Sequence, residues 1–441
     1  MHPPTAVGGI RLFVQCRQSE ASILQYCSTC YLYATRETCL PVNLFPYPSR
    51  KMANNFIARE NKMLENLRRG LISAAIIVMG LLFQAPPLVA QQACFSAEER
   101  AKAERTAIVY RAPHPAYDPV LGYNTTKGPK KGWPRVGSDG IALPIKCVAE
   151  KDDSPGAGTT PKFHCTVPGN VDGDGDLVRF KIKPHFKGQS ADKRNGEIYG
   201  EFLSSRFSKA LGFFADDEWV ADVTCPDCSK SLNKGYQGAS FTGFEPAAGI
   251  ELPLGRGLDV NCNNKDAGSL GGSLDKLLAS GARRAEIDAF KLWLAFIDHG
   301  DTKTDNHKFA CLKSDKNGTS RVCEPGEAVF YVSDMGSTWG FSSSSEKKAR
   351  LSSWKQKEPI KVSGGSCTTT AKSVGDSKIS EAGRQLLATN LQKLLDAEKQ
   401  KKTITKVFNA SRNAERDQRP EEWTAEFIRK ANTIINARCS N

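Results

Sequence analysis

Asp301, Lys303 and Asn306 lie close together in the stretch His299-Gly-Asp-Thr-Lys-Thr-Asp-Asn306, and Asp334 follows 28 residues after Asn306. Two carboxylates, an amine and a carboxamide in this order can orient a hydroxyl, steady a charged group in transit and hold a divalent cation through hard oxygen atoms. Far upstream, Lys183 offers a cation for phosphate oxygens, and Glu197 and Glu201 stand four apart, on one face of a helix. Phosphoryl transfer needs this set, because its catalysis is mostly positioning and charge neutralisation. In that chemistry a lysine holds nucleotide phosphates, and a glutamate on a helix orients that lysine. An aspartate positions the attacking hydroxyl, and an asparagine and a second aspartate hold divalent metal ions. The chain supplies residues of all these types in the right order.

Each residue also has a plainer reading. Asp301 and Asn306 could cap backbone amides of a loop. Lys183 could be a solvated lysine at a strand edge, and His299 could simply hold the loop's backbone. Val136-Gly-Ser-Asp-Gly-Ile141 is the better phosphate-loop candidate, because Gly137 and Gly140 can present backbone amides with little negative charge. Asp172-Gly-Asp-Gly-Asp176 fails the EF-hand pattern, with Leu177 at the sharp-turn glycine and Lys183 at the bidentate glutamate, so it reads as a hairpin turn. Cys225-Pro-Asp-Cys228 could be a redox motif, half of a zinc site or a local disulfide. No thioredoxin-like context and no second pair is apparent, which favours the disulfide.

The elements that must position these residues follow from periodicity. Ser96, with Glu98-Glu99 behind it, starts a helix that runs to Tyr110. Ile141–Val148 and Lys162–Val167 read as paired strands, and Leu177–Lys183 alternates apolar and basic residues as a strand should. Glu197–Leu211 has a helical apolar face closed by Gly212. Glu218–Val223 reads as a strand, and 229–275 as a long Gly/Asn/Ser-rich loop region. Ala285–Ile297 is apolar nearly all round, hence a buried helix, and it delivers the 299–306 stretch. Lys308–Leu312 and Ala328–Val332 read as short strands, and 341–378 as polar and irregular. Helices over Ser380–Gln400, Thr403–Ser411 and Glu421–Arg438 complete the pattern.

The 299–306 stretch resembles the protein-kinase catalytic loop H-R-D-x-K-x-x-N, with Gly300 in place of the arginine. Asp334-Met-Gly336 resembles D-F-G with Met for Phe, and Phe180-Lys-Ile-Lys183 resembles the V-A-I-K strand. The 28-residue gap before Asp334 is longer than in typical protein kinases. The resemblance, over roughly 175–340, is therefore to the atypical protein-kinase-like superfamily: phosphatidylinositol kinases, HipA-like kinases and secretory-pathway kinases. Ile379-Ser-Glu-Ala-Gly-Arg384, and the cysteine pair after Ala210-Leu-Gly212, look closest to a group of uncharacterised exported bacterial proteins. The resemblance implies an α+β, protein-kinase-like two-lobed fold, disulfide-braced, with a small β-rich N-lobe and a helical C-lobe. It implies transfer of the ATP γ-phosphoryl group to a hydroxyl on a protein, lipid or small molecule, with Asp301 orienting the acceptor, Lys303 steadying the transferring phosphoryl group, Asn306 and Asp334 holding Mg²⁺ or Mn²⁺, and Lys183, paired with Glu197 or Glu201, holding the α and β phosphates. The missing arginine puts control by activation-loop phosphorylation in doubt. The alternatives are a catalytically inactive kinase-fold binding module and a nucleotidyl (AMP) transferase, and the scarcity of ATP outside the cytoplasm keeps the first in play.

The rest of the chain sets limits. Its 441 residues are 39% hydrophobic and 25% charged, which fits folded domains and excludes wholesale disorder. Arg68-Arg69, the uncharged Leu71–Phe83 and Leu88-Val-Ala90 make a signal peptide over 63–90; the run is short for a membrane span, so membrane contact is transient. Residues 1–62 read as a non-native or disordered extension. Beyond them come a helix and loop (91–135), an N-lobe with a long loop insertion (136–275) and the C-lobe (276–441), exported to the periplasm or beyond. Net charge is +13, of which residues 1–90 carry +5. The excess suits an anionic ligand such as a nucleotide, and no aromatic-interleaved basic stripe argues for nucleic acid. Of 14 cysteines, four precede the signal peptide. Among the others, hairpin adjacency predicts Cys147–Cys165 and Cys311–Cys323, and proximity predicts Cys225–Cys228. Cys94, Cys262, Cys367 and Cys439 stay unassigned.

Overall fold

The structure is a computed structural model. It describes residues 94–149, 162–173, 175, 177–184, 196–225, 228, 244–252, 256–257, 274, 277, 283–301, 306–317, 320–340, 349–369, 378–411 and 419–440. The chain divides into Met1–Leu88 and Val89–Asn441, and all described residues lie in the second unit. The extension at 1–62, the signal peptide at 63–90, Lys303 and Cys262 therefore lie outside the described residues. Among the described residues no helix is long and apolar enough to cross a membrane.

The fold is mixed α+β. Helix α1 (Ala97–Thr106) is capped by the Ser96 hydroxyl, which accepts from the Glu99 amide. It stops short of Tyr110 because Ile108 turns extended and pairs with Ala328 and Phe330; sheet pairing overrides the local helical pattern. The strands that carry the argument are β1 (Ile145–Lys146), β2 (Val148–Ala149), β3 (Phe163–Val171), β4 (Leu177–Lys183), β5 (Asp217–Thr224), β6 (Phe244–Leu252), β7 (His307–Cys311) and β8 (Ala328–Val332).

The first six form one sheet in the order β1-β5-β6-β4-β3-β2. Its two outermost strands are halves of a single stretch, 145–149, separated only by Cys147. Ile145 and Lys146 pair in parallel with Val223 and Thr224, while Val148 and Ala149 pair antiparallel with Thr166 and Cys165. The sheet thus closes on itself as a small barrel, which removes most of its open edge. Sequence periodicity gives Ile141–Val148 as one arm of a hairpin; instead the stretch changes partner at Cys147. Inside lie Cys147, Phe163, Cys165, Val178, Phe180, Ile182, Trp219, Ala221 and Val223. Strand β6 falls where the sequence reads as loop. Phe244-Glu-Pro-Ala-Ala-Gly-Ile-Glu-Leu252 has weak strand propensity, and pairing with β4 on one side and β5 on the other makes it a strand.

Helix α2 (Glu197–Leu211) ends at Gly212 in a left-handed conformation (φ 93°) and packs on the barrel through β5 and β6. Its other residues, Ile198, Phe202, Leu203, Phe207 and Leu211, join the larger core. Helix α3 (Arg284–Phe296) is buried from Glu286 to Phe296, as its all-round apolar pattern requires. α4 (Leu351–Lys355) and a small sheet over 360–379 fall in the stretch read as irregular. α5 (Glu381–Lys401), α6 (Thr403–Ala410) and α7 (Pro420–Asn436) close the core.

The Ile379–Arg384 segment is a structural lock. Ser380 caps α5, and its amide donates to Asp288 Oδ2 on α3 at 2.9 Å. A Cβ on Gly383 would meet Asp288 Cβ at 2.5 Å. The Arg384 guanidinium donates to Ile434 O at the end of α7. Cys147–Cys165, Cys225–Cys228 and Cys311–Cys323 stand at bonding distance, and so do Cys367 and Cys439, 72 residues apart. Cys311 and Cys323 are not two arms of one hairpin: Cys311 ends β7, whereas Cys323 pairs with Ser314 in a separate ladder.

Candidate active site

Strand β4 brings Lys183 to the barrel's rim, where alternation turns its side chain away from the face of Phe180 and Ile182 and toward α2; it is 3% exposed. A lysine this buried needs anionic partners to stay charged. Lys183 Nζ donates to Glu201 Oε1, contacts Asp334 Oδ1 at 3.2 Å, and lies 3.8 Å from Glu197 Oε2. Of the two candidate glutamates, Glu201 is thus the direct partner and Glu197 the outer one. Lys183 and Asp334 are 151 residues apart in sequence.

Asp334 sits just beyond β8 with φ at 55°, a left-handed conformation that costs a non-glycine residue energy. The Lys183 ammonium holds the Asp334 carboxyl well below the usual carboxylate range, against the opposing effect of burial, and Lys181 pulls the same way. At 44% exposed, this carboxylate is reachable from solvent although its lysine is not.

The loop after α3 reaches the same place. Antiparallel β7 and β8 pair His307 with Val332, and the Ser333 amide donates to Asn306 O at 2.8 Å. Asn306 and Asp334 therefore flank one end of the same ladder. Asn306 Nδ2 donates to Asp301 O at 2.8 Å, which leaves its Oδ1 as the acceptor side of the amide. His299 is 3% exposed, and neither ring nitrogen has a hydrogen-bond partner among the described residues. Burial lowers it to about 4, with Asp334 and Asp301 pulling the other way; it is a neutral ring under ordinary conditions.

Backbone contacts tie the two loops together. The Gly300 amide donates to Ser337 O at 2.8 Å and the Trp339 amide to Ile297 O at 2.6 Å. A Cβ on Gly300 would meet only Ser337 O at 3.7 Å, so glycine is not sterically required there. The turn 334–338 presses directly on α2. A Cβ on Gly200 would lie 2.7 Å from Gly336 O, and one on Gly336 would lie 2.8 Å from Glu197 Cβ. Ser204 Oγ meets Thr338 Oγ1 at 3.1 Å and accepts from Trp339 Nε1 at 3.0 Å. Gly200, Ser204, Thr338 and Trp339 escaped the sequence reading. Only Gly200, a poor helix former inside a strong helix, carries a signal that could have pointed to a close approach.

Gly137 and Gly140 lie elsewhere in the bonding scheme. The Gly137 amide donates to Ile141 O and the Gly140 amide to Gly137 O. A Cβ on Gly140 would meet Val120 O at 2.5 Å and Ala410 Cβ at 3.0 Å. These amides are spent within a tight turn packed against α6. In the hairpin joining β3 and β4 the Gly175 amide donates to Asp172 O, a turn as expected; Asp174 and Asp176 lie outside the described residues.

The donor set fits a hard divalent cation: an ionised, accessible carboxylate on Asp334 and the carboxamide oxygen of Asn306, both oxygen ligands. A cavity of about 460 Å³ between the 113–119 loop and α5 contains none of these residues.

No protein-family profile and no curated protein matches the chain. Among solved structures, the Helicobacter pylori proinflammatory kinase CtkA matches at 10% identity with a TM-score of 0.36, over 66% of this chain and 95% of that one.

Proposed function

We propose that the chain is an exported kinase-like phosphotransferase that moves the γ-phosphoryl group of ATP to a hydroxyl acceptor with Mg²⁺ or Mn²⁺. One observation carries the reading: Lys183 of the barrel meets both Glu201 of α2 and Asp334 beyond β8. Capping of a loop by Asp301 and Asn306 would require no such convergence. In this reading the barrel with α2 is the smaller lobe and the helices from α3 onward the larger one. Glu201 orients Lys183 toward the α and β phosphates. Asp334 and Asn306 hold the cation, which neutralises phosphate charge when bound. Asp301 receives the acceptor hydroxyl and Lys303 steadies the transferring group. The close contact of Gly200 with Gly336 sets the distance between the lysine and the metal carboxylate.

The test is nucleotide binding followed by transfer. ATP should bind with Mg²⁺ or Mn²⁺ and lose that dependence in Asp334→Ala. Asp301→Ala should keep binding and stop transfer, because it touches the acceptor and not the nucleotide. Metal-dependent ATP affinity unchanged in Asp334→Ala would end the proposal. Full affinity without transfer to any hydroxyl would instead favour a binding module.

A further inference from the structure

The barrel seam holds a sulfur cluster that the proposed chemistry does not use. Cys147, Cys225 and Cys228 place their Sγ atoms within 4.8 Å of one another, the one such group among the described residues. Cys165 is bonded to Cys147. The four come from three places: the point where the 145–149 stretch changes partner, strand β3, and the turn that follows β5. Cys147, Cys165, Cys225 and Cys228 are 3%, 0%, 7% and 0% exposed. In sequence the Cys-x-x-Cys stands alone; barrel closure brings it the second pair.

Four cysteines meeting in a dry core are also a metal-ligand set. Zinc takes four thiolates tetrahedrally at about 2.3 Å, which puts the sulfurs about 3.8 Å apart. Cys147, Cys225 and Cys228 already hold their sulfurs within 4.8 Å of one another, and opening both bridges, Cys147–Cys165 and Cys225–Cys228, frees all four to spread to that spacing. Soft sulfur donors in a tetrahedron select zinc or iron over magnesium or calcium. The Cys228 amide donates to Cys225 O at 3.4 Å, closing the turn that presents both sulfurs on one side. The cation cancels two of the four thiolate charges, which the apolar surroundings of Phe163, Phe180 and Trp219 would otherwise penalise.

We propose that in its thiol state the chain binds one Zn²⁺ through Cys147, Cys165, Cys225 and Cys228, at the seam that closes the barrel. Four thiols lose four protons as the ion enters, giving a tetrathiolate of net charge minus two. A disulfide-class oxidant takes two electrons from each pair, forms Cys147–Cys165 and Cys225–Cys228, and leaves the ion without ligands. The seam is thus held by metal before oxidation and by two covalent bridges after it. Cys311–Cys323 and Cys367–Cys439 have no third sulfur nearby among the described residues and serve as internal controls.

The experiment uses the full chain, reduced and stripped with a chelator, then titrated with Zn²⁺ against a chromophoric chelator and separately with Co²⁺. One tight zinc equivalent is expected. The cobalt form should show thiolate charge-transfer absorption and the intense d–d bands of a tetrahedral site, both erased by zinc. Cys228→Ser should weaken zinc binding by more than about a hundredfold, beyond the loss seen for outer-sphere partners, whereas Cys311→Ser with Cys323→Ser should leave it unchanged. The proposal fails if the reduced wild type takes up no tight equivalent, if the cobalt form lacks thiolate bands, or if Cys228→Ser binds as before. Should Cys228→Ser not fold, the wild-type cobalt spectrum decides alone.

Discussion

The barrel and the helical half solve the same problem by different means. The barrel core is small: apart from Phe163, Phe180 and Trp219 it is built of modest side chains, and four of its members are cysteines. A core of that size buries too little apolar surface to hold itself without a staple. The helical half is held by aromatic packing. Phe427 lies 4.8 Å from Phe207 and 4.9 Å from Phe296, and Trp339 stacks edge-on against Trp354 at 4.9 Å. One long-range bridge, Cys367–Cys439, is added to it. The difference teaches where rigidity comes from at the site. Lys183 is fixed by a covalently braced barrel, Asp334 by a densely packed helical core, and α2 belongs to both.

Removing Cys367–Cys439 by a double alanine substitution should cost about 4 kcal/mol, the loop-closure value for a loop of this length, read from chemical denaturation of the oxidised chain. A loss nearer 1 kcal/mol would show that aromatic packing alone holds that half. Phe427→Ala should cost about 4 kcal/mol by the same measurement, because the helical core cannot collapse around so large a void. Phe180→Ala should cost less while the seam is bridged, and as much or more when Cys147 and Cys165 are both alanine. Equal costs in both backgrounds would mean the staple does not carry the barrel.

A pH experiment sharpens the contrast. Burial pushes Lys430 down to about 8 from its ordinary 10.5; its ammonium donates to Lys357 O and lies 5.2 Å from the Trp354 ring. The unfolded chain therefore holds more protons than the folded one between these values, and this group's contribution to stability rises from pH 8 to 10.5. Lys430→Met should remove that rise, about 3 kcal/mol, with no change in nucleotide binding. A pH dependence identical to wild type would place the cost elsewhere. Smallest in stability, about 1–2 kcal/mol, is Gly200→Ala, which forces α2 away from the 334–338 turn. Its effect on ATP affinity should exceed its effect on stability; the reverse would detach that contact from the site.

Elements with strong periodicity were legible in the sequence. Leu177–Lys183 and Glu197–Leu211 fall on β4 and α2 residue for residue, and the buried α3 is displaced by a single position. What stayed hidden depends on partners far along the chain. Strand β6 exists through its neighbours, and the 145–149 stretch changes partner at one residue, which no local pattern encodes. At the site, residue types and order pointed to Lys183, Asp301, Asn306 and Asp334. The choice of Glu201 over Glu197 needed three dimensions, because both stand on the same helix face. The Gly200–Gly336 contact was invisible because glycine announces space without saying what fills it.

Cys439 sets the order in which the molecule can be finished. Its amide donates to Glu381 Oε2, the next amide donates to Gly365 O, and its sulfur joins Cys367. Synthesis runs from the N-terminus, so these three links become available only after 72 further residues have followed Cys367. The barrel, by contrast, has every one of its strands once Leu252 has emerged. The barrel strands can therefore pair while the chain is still being made, whereas the Cys367–Cys439 bridge cannot form until Cys439 has followed. Asp334 is synthesised long before Cys439, so the links that close off its half of the molecule are the last to be made.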